Sequence, residues 1–380
     1  MRCHTQRVLL TLLAFASTAH ALVAPRPHVV ATAHALVAPR PKVTAHCRTA
    51  LAATPTEPPP NPIAQDAPIY ALAAALQAVP IVLQSKESHY VFFLGLATAT
   101  VYLSSRACSL APPEAEPLTL KQAALAPVLA SASLFSLYVL IKYLSIDPSL
   151  GYRLLTSTFA GGAAALVISE AVDAVSDDER ASVVAPVLSI IVVALYLGAD
   201  ALSLSVEAKT VLANFLGWSL ALLAPRTVPL RSFKVGAALL GGLFLYDIFF
   251  VFGSDVMMTV ATKIDAPVVL KAPNPIGSAS PYALLGLGDV ALPSLLVSFL
   301  GRYGDVRGER VWRRAATGAY AFGLGDAFAA NEFVRNGQPA LLYLVPAVVG
   351  AGLCTALATG GREGVDELIA YKEPAPEPRR

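Results

Sequence analysis

Asp247 and Asp289 are carboxylates set in apolar sequence. The first stands in Leu243-Phe244-Leu245-Tyr246-Asp247-Ile248-Phe249-Phe250, the second in Leu284-Leu285-Gly286-Leu287-Gly288-Asp289-Val290-Ala291-Leu292. A charged acid at the centre of a bilayer costs at least about 2.5 kcal/mol on insertion scales, so a pair of them marks a functional site, in catalysis or in transport. Two carboxyl groups within reach of each other in a low-dielectric site do not both ionise readily, so one keeps its proton while the other stays charged. Such a pair suits hydrolysis: the ionised member takes a proton from water and the protonated member polarises the carbonyl under attack. A coupled pair titrates as a unit, so neither role belongs to one residue.

Other chemistry lacks material. Cys3 and Cys47 lie near the N-terminus, leaving Cys108 and Cys354, which form neither a metal-ligand spacing nor a disulfide framework. Five of the six histidines, His4, His20, His28, His34 and His46, are in the same N-terminal segment, and His89 is expected in a short turn between helices. No metal and no cofactor are expected, and the carboxylates must carry the reaction.

The elements that hold them are membrane helices. The chain is 55% apolar and 14% charged, its mean hydropathy is +0.60, and apolar blocks recur from residue 68 onward. Blocks of about 17 to 25 residues match a hydrocarbon core of about 30 Å at 1.5 Å per residue. The runs are continuous and do not alternate, which sets a β-barrel aside. The expected class is an all-α polytopic membrane protein. Candidate spans are 68–84, 90–107, 122–144, 153–175, 185–204, 208–224, 235–253, 282–300, 313–331 and 338–358. Arg226, Arg231 and Lys234 precede the Asp247 helix, and Arg302, Arg307, Arg310, Arg313 and Arg314 follow or close the Asp289 helix, so both loops fall on the cytosolic side. Asp247 then lies about 9 Å from the far end of its helix near Gly253, and Asp289 about 10 Å from a helix start near Tyr282. The two acids are expected at one depth on antiparallel neighbours. Gly241, Gly242, Gly286 and Gly288 permit close approach of backbone or substrate, although glycine in membrane helices more often serves packing. Tyr246 can hydrogen-bond in the site, an interfacial or core tyrosine being the commoner case.

The first 56 residues hold no acid and six bases. Residues 1–22 follow a secretory signal pattern. Residues 23–63 continue with a repeat, residues 18–27 being copied at 32–41, and read as a transit-like segment or a disordered linker. Removing those six from the 28 basic residues leaves 22 against 26 acidic ones, a balance of −4 that argues against nucleic acid. Residues 64–359 form the membrane domain and 360–380 a polar tail. The signal pattern directs the chain to the endoplasmic reticulum or endomembranes, with a plastid membrane as the alternative.

Tyr246-Asp247, Gly286-Leu287-Gly288-Asp289 and Gln338-Pro339-Ala340-Leu341 resemble the YD, GxGD and PAL signatures of the signal peptide peptidase and presenilin intramembrane aspartyl proteases. The likeness to signal peptide peptidase is closer, extends from about residue 208 to 358, and loosens toward 122. It implies nine helices, with the aspartates on the sixth and seventh and the Pro-Ala-Leu element on the ninth, packed against the pair. One of the ten spans is then extra, and 68–84 is the first choice. It also implies an intramembrane endopeptidase acting on transmembrane segments, such as remnant signal peptides or proteins with a cytosolic N-terminus. Expected partners are such substrates and the lipid bilayer, with a second copy of the chain left open.

Gly-Leu-Gly-Asp occurs again at Gly323 to Asp326. Its surroundings resemble the family's noncatalytic eighth helix, so Asp289 is preferred to Asp326. Glu170 and Asp173 are expected to face the water of the acidic loop at 177–179, and Asp200 to lie near a helix end. In the 254–281 connection, Ala266-Pro267-Val268-Val269-Leu270 is either a plain loop or, as the resemblance implies, a strand that pairs with an unwound substrate. Two further readings stay open. One is an ion-coupled transporter, which would be expected to show inverted helical repeats, and the other a silent homologue that holds substrate.

Overall fold

The computed structural model describes residues 62–374 apart from 84, 114, 145–146, 174–180, 254–255, 257–259, 261–265, 275–281 and 335–337. The N-terminal signal-like and repeat segments, the acids of residues 177–179, and residues 375–380 lie outside the described residues. Among the described residues nine long helices follow in order: α1 (Lys86–Leu110), α2 (Leu120–Lys142), α3 (Ser149–Asp173), α4 (Ala181–Leu197), α5 (Val206–Thr227), α6 (Phe233–Phe252), α7 (Gly288–Arg307), α8 (Val311–Val334) and α9 (Leu341–Ala370). Between α6 and α7 two strands, β1 (Val269–Pro273) and β2 (Tyr282–Gly286), pair antiparallel with Val269 opposite Gly286 and Pro273 opposite Tyr282.

Local chemistry sets the boundaries. Ser85 and Ser88 cap α1 reciprocally, and Thr119 and Gln122 do the same for α2, each pair satisfying two backbone N–H groups that a helix start leaves open. α7 ends at Gly308, whose φ of +74° is left-handed. α9 kinks at Gly361, also left-handed, with helix resuming as far as Ala370. The apolar stretch at 68–84 divides into two short helices, Ala67–Leu76 and Val79–Leu83, broken by a turn at Gln77 and Ala78. Neither is long enough to cross a bilayer alone.

Six helices, α1, α2, α3, α5, α6 and α9, are long and apolar enough to cross a membrane. They differ in where their apolar surface goes. Within α1 67% of the apolar window is buried in the protein, against 11% in α2. So α1 is the central post, with α7, α5 and α8 packed on it, whereas α2 turns Leu125, Val128, Leu129 and Phe135 outward. An outward apolar face that would be unfavourable in water is matched by lipid. The main core runs through Phe92, Leu96, Leu240, Leu296, Phe299, Trp312, Tyr320 and Leu344, joining α1 to α6, α7, α8 and α9.

The span expected at 282–300 is corrected. Tyr282–Gly286 is strand, and the helix starts at Gly288. Asp289 therefore stands in the first turn of α7 and not two turns inside a helix, and the depth argument loses its helical measure. An extended residue advances about 3.3 Å where a helical one advances 1.5 Å, so the strand carries the chain about twice as far per residue. Apolar pattern alone does not separate a five-residue buried strand from a helix turn.

Charged groups expected near water are also reassigned. Glu170 pairs with Arg226 within the protein, Arg302 is buried against Glu373 at 2.9 Å, and Arg313 is buried against Asp305 and Ser109. Asp200 lies past the end of α4, exposed and bonded by Lys209 at 2.6 Å. Residues 360–370 are helical, and Leu368 is fully buried.

Candidate active site

Asp247 sits on the buried face of α6 with Leu240, Leu243 and Phe250, 5% exposed. Its carboxylate is held by the start of another helix. The backbone N–H of Leu341, first residue of α9, donates to Asp247 Oδ2 at 3.0 Å. The first N–H groups of a helix lack internal partners and carry the positive end of its dipole, so they suit a carboxylate. Gln338, Pro339 and Ala340 shape this contact. Pro339 is buried and Ala340 is the N-cap, while Tyr343 donates its hydroxyl to Gln338 Oε1 at 3.3 Å. The Pro-Ala-Leu element thus meets Asp247 through a backbone donor.

Asp289 is presented from the first turn of α7. Its helix packs directly on α6, which carries Asp247. Gly286 lies behind its carboxylate: a Cβ there would stand 3.0 Å from Asp289 Oδ2 and 3.7 Å from Cγ. At Gly288 a Cβ would meet nothing nearer than Leu292 at 3.7 Å, an ordinary contact. Leu287 joins strand to helix: it is buried, its N–H donates to the Val268 carbonyl at 3.0 Å, and its own carbonyl accepts from Ala291 at 2.8 Å. Tyr246, half-buried, lies one residue from Asp247 but turns its ring onto Phe250, centroids 4.8 Å apart, beside the α2 cluster of Leu134, Leu137 and Tyr138.

The hairpin before Asp289 is anchored by residues that sequence reading passed over. Asn214, buried on α5, clamps the outer edge of β1 by donating to the Lys271 carbonyl at 2.9 Å and accepting from its N–H at 2.8 Å. His89 is not in a turn between helices but in the first turn of α1, buried, and its Nε2 lies 2.9 Å from the Pro273 carbonyl. Gly217 lets α5 approach, since a Cβ there would stand 3.1 Å from the Pro267 carbonyl oxygen. An amide inside the apolar run Val211-Leu212-Ala213-Asn214-Phe215-Leu216 was the available signal, because a buried amide needs partners. The Val269–Leu270 segment is a strand, and within the chain its partner is β2.

The strand register turns one edge of β2 away from β1. Leu287 bonding Val268 makes 270 with 285 and 272 with 283 the hydrogen-bonded pairs, so Tyr282, Leu284 and Gly286 turn their backbone groups away from β1. Leu284 is exposed. This outward edge runs directly into the turn that carries Asp289.

The second Gly-Leu-Gly-Asp is a packing element. A Cβ at Gly323 would stand 3.0 Å from the Tyr343 carbonyl oxygen and 3.1 Å from the Ala347 Cβ, so α8 and α9 touch there. Asp326 follows on the same helix, partly buried.

The sequence matches the family model for signal peptide peptidase over residues 111–374. It is 37% identical to the signal peptide peptidase of Homo sapiens over 171 residues, 43% of this chain and 44% of that protein. It is 40% identical to the human signal peptide peptidase-like 2B over 168 residues, 39% of this chain and 28% of that protein. A Schizosaccharomyces pombe protein named as a probable intramembrane protease is 30% identical over 278 residues, 70% of this chain and 89% of its own length. The match thus spans less than half of the human relatives and most of the yeast one. With the family model matched over most of its length, the chain belongs to the signal peptide peptidase family and is a polytopic, helical membrane protein.

Proposed function

We propose that the protein is an aspartic endopeptidase that hydrolyses peptide bonds inside transmembrane segments, remnant signal peptides and type II membrane proteins among them. One observation supports the reading: Asp247 and Asp289 stand on α6 and α7, two helices that pack on each other, and the Leu341 N–H holds Asp247 from the start of α9. The pair shares one proton. Its ionised member takes a proton from water as the oxygen attacks the scissile carbonyl carbon, and its protonated member gives a proton to the carbonyl oxygen. The tetrahedral diol then collapses: the C–N bond breaks, the amide nitrogen takes a proton from the protonated member of the dyad, a diol hydroxyl gives its proton to the ionised member, and a carboxyl and an amine leave with the single shared proton restored. Because Leu341 occupies one lone pair of Asp247, the carboxyl plane stays fixed through both proton transfers.

A peptide bond within a helix is shielded by its own hydrogen bonds. The edge of β2 that turns away from β1 would offer an unwound substrate the backbone partners it otherwise lacks, close in the chain to Asp289. In this reading residues 64–359 carry the peptidase, residues 1–22 direct entry into the endoplasmic reticulum and endomembranes, and residues 23–63 link the two.

The test is cleavage of a labelled signal-peptide-like transmembrane peptide by the full chain purified in detergent, with products located by mass spectrometry. Wild type and Asp326→Ala are expected to cut within the apolar stretch. Asp247→Ala and Asp289→Ala are expected to lose on the order of 10²–10⁴-fold or more, the range of a positioned acid or base. Activity that survives Asp289→Ala and dies with Asp326→Ala would move the site to the second tetrapeptide, and a wild type that never cuts would return the protein to the transporter or silent-homologue class.

A further inference from the structure

Four residues after Asp289 stands Pro293. In a regular α-helix the Asp289 carbonyl would accept the N–H of residue 293. Proline has no N–H, and its ring crowds the carbonyl four residues before it. The reactive end of α7 is therefore built with a backbone acceptor that its own helix cannot satisfy, in a place where water is scarce.

The missing donor comes from a different helix. Tyr320 on α8 is fully buried, and its hydroxyl donates to the Asp289 carbonyl oxygen at 3.2 Å. We infer that Tyr320 is a positioning residue for the reaction: its hydroxyl replaces the N–H that Pro293 removes and fixes the backbone that carries the Asp289 carboxyl. The inference rests on the aspartic peptidase reading above. It also gives α8 a part in the site that does not pass through Asp326, since Tyr320 lies three residues before the second Gly-Leu-Gly-Asp. Ring volume alone does not account for the residue. Phenylalanine would fill the same space, and the phenol oxygen is the atom that meets the orphaned carbonyl.

The pairing of Pro293 with Tyr320 supplies its own control. Pro293→Ala returns an N–H to position 293 and makes the phenol dispensable. The experiment is a four-protein cycle, wild type, Tyr320→Phe, Pro293→Ala and the double variant, assayed for kcat and KM on the labelled transmembrane peptide, with Asp289→Ala alongside. Tyr320→Phe is expected to lower kcat about five- to fiftyfold and leave KM within about twofold, because an orphaned buried acceptor disturbs the acid and not the binding edge. In the Pro293→Ala background the same substitution is expected to change kcat by less than about twofold. An unchanged kcat in Tyr320→Phe, or one equal factor in both backgrounds, would overturn the inference and leave Tyr320 as packing. If Pro293→Ala does not turn over, the cycle is read in Tm: a larger drop from Tyr320→Phe with Pro293 in place supports the inference, and equal drops overturn it. Full cleavage by Asp289→Ala would instead overturn the assignment of Asp289 to the reacting pair, while the Tm coupling would still judge the hydrogen bond itself.

Discussion

Gly286 and Gly288 flank Leu287 symmetrically in the sequence but do different work. At Gly286 a Cβ would press on the Asp289 carboxylate at 3.0 Å, and at Gly288 it would meet only Leu292 at 3.7 Å. Gly286→Ala is therefore expected to lower kcat about ten- to a hundredfold by displacing the acid, since small misplacements of a reacting group are costly. Gly288→Ala is expected to stay within about threefold of wild type, as an addition into ordinary contact space. Comparing kcat for the two variants checks this, and equal losses would mean that the carboxylate is not set by Gly286. The acids and the three motifs were legible at this scale because charge inside apolar sequence is conspicuous. The Tyr320 hydrogen bond was not, although a proline four residues after a candidate acid was a readable sign that some other donor must exist.

At the scale of elements, helices were legible and the hairpin was not. A run such as Phe233–Phe252 is long and apolar enough to read as one span, and the capping boxes at Ser85 and Thr119 mark its counterparts. Tyr282-Ala283-Leu284-Leu285-Gly286 is as apolar as the helix that follows it. Its strand character comes from β1, Asn214 and His89, which approach from distant parts of the chain. The same distinction separates the two glycines of the second Gly-Leu-Gly-Asp. Gly323 touches α9 backbone, whereas Gly325 has open space where a side chain would go. Gly323→Val is expected to destabilise by about 1–3 kcal/mol through overpacking of α8 on α9. Gly325→Ala is expected to be neutral or to stabilise by about 0.5–1 kcal/mol, the usual gain of alanine within a helix. Thermal unfolding of both in the same detergent decides between them, and equal shifts would mean that the α8 to α9 contact does not depend on Gly323.

In the whole molecule, the Asp289 end of α7 is matched by a fastened opposite end. Arg302 is buried, grips Glu373 through Nε and Nη2, and donates to the Leu230 carbonyl at 2.7 Å. Tyr371 packs its ring tilted against Phe299 and edge-on against Tyr303. Residues after the Gly361 kink thereby tie α9 back to α7, which the apparent polarity of the 360–380 segment concealed, because its few apolar residues are the ones that face inward. Glu373→Ala would leave a buried guanidinium without its carboxylate and is expected to destabilise by about 3–5 kcal/mol. A drop of several degrees in Tm checks this, and an unchanged Tm would mean that the clasp contributes nothing. Arg302 and Arg313, which entered the positive-inside expectation, are committed to internal partners and are not free surface charge.

The most direct test of the central claim, that Asp247 and Asp289 act as one proton-sharing pair, is the pH dependence of kcat/KM for cleavage of a transmembrane peptide by the intact protein. Only the state with a single shared proton carries both a base for water and an acid for the carbonyl. The account predicts a bell: the rate falls on the acid side as the second proton binds and the base is lost, and falls on the alkaline side as the last proton leaves and the acid is lost. A rate that is flat with pH, or that keeps rising through the alkaline side, would contradict the shared-proton pair and with it the mechanism.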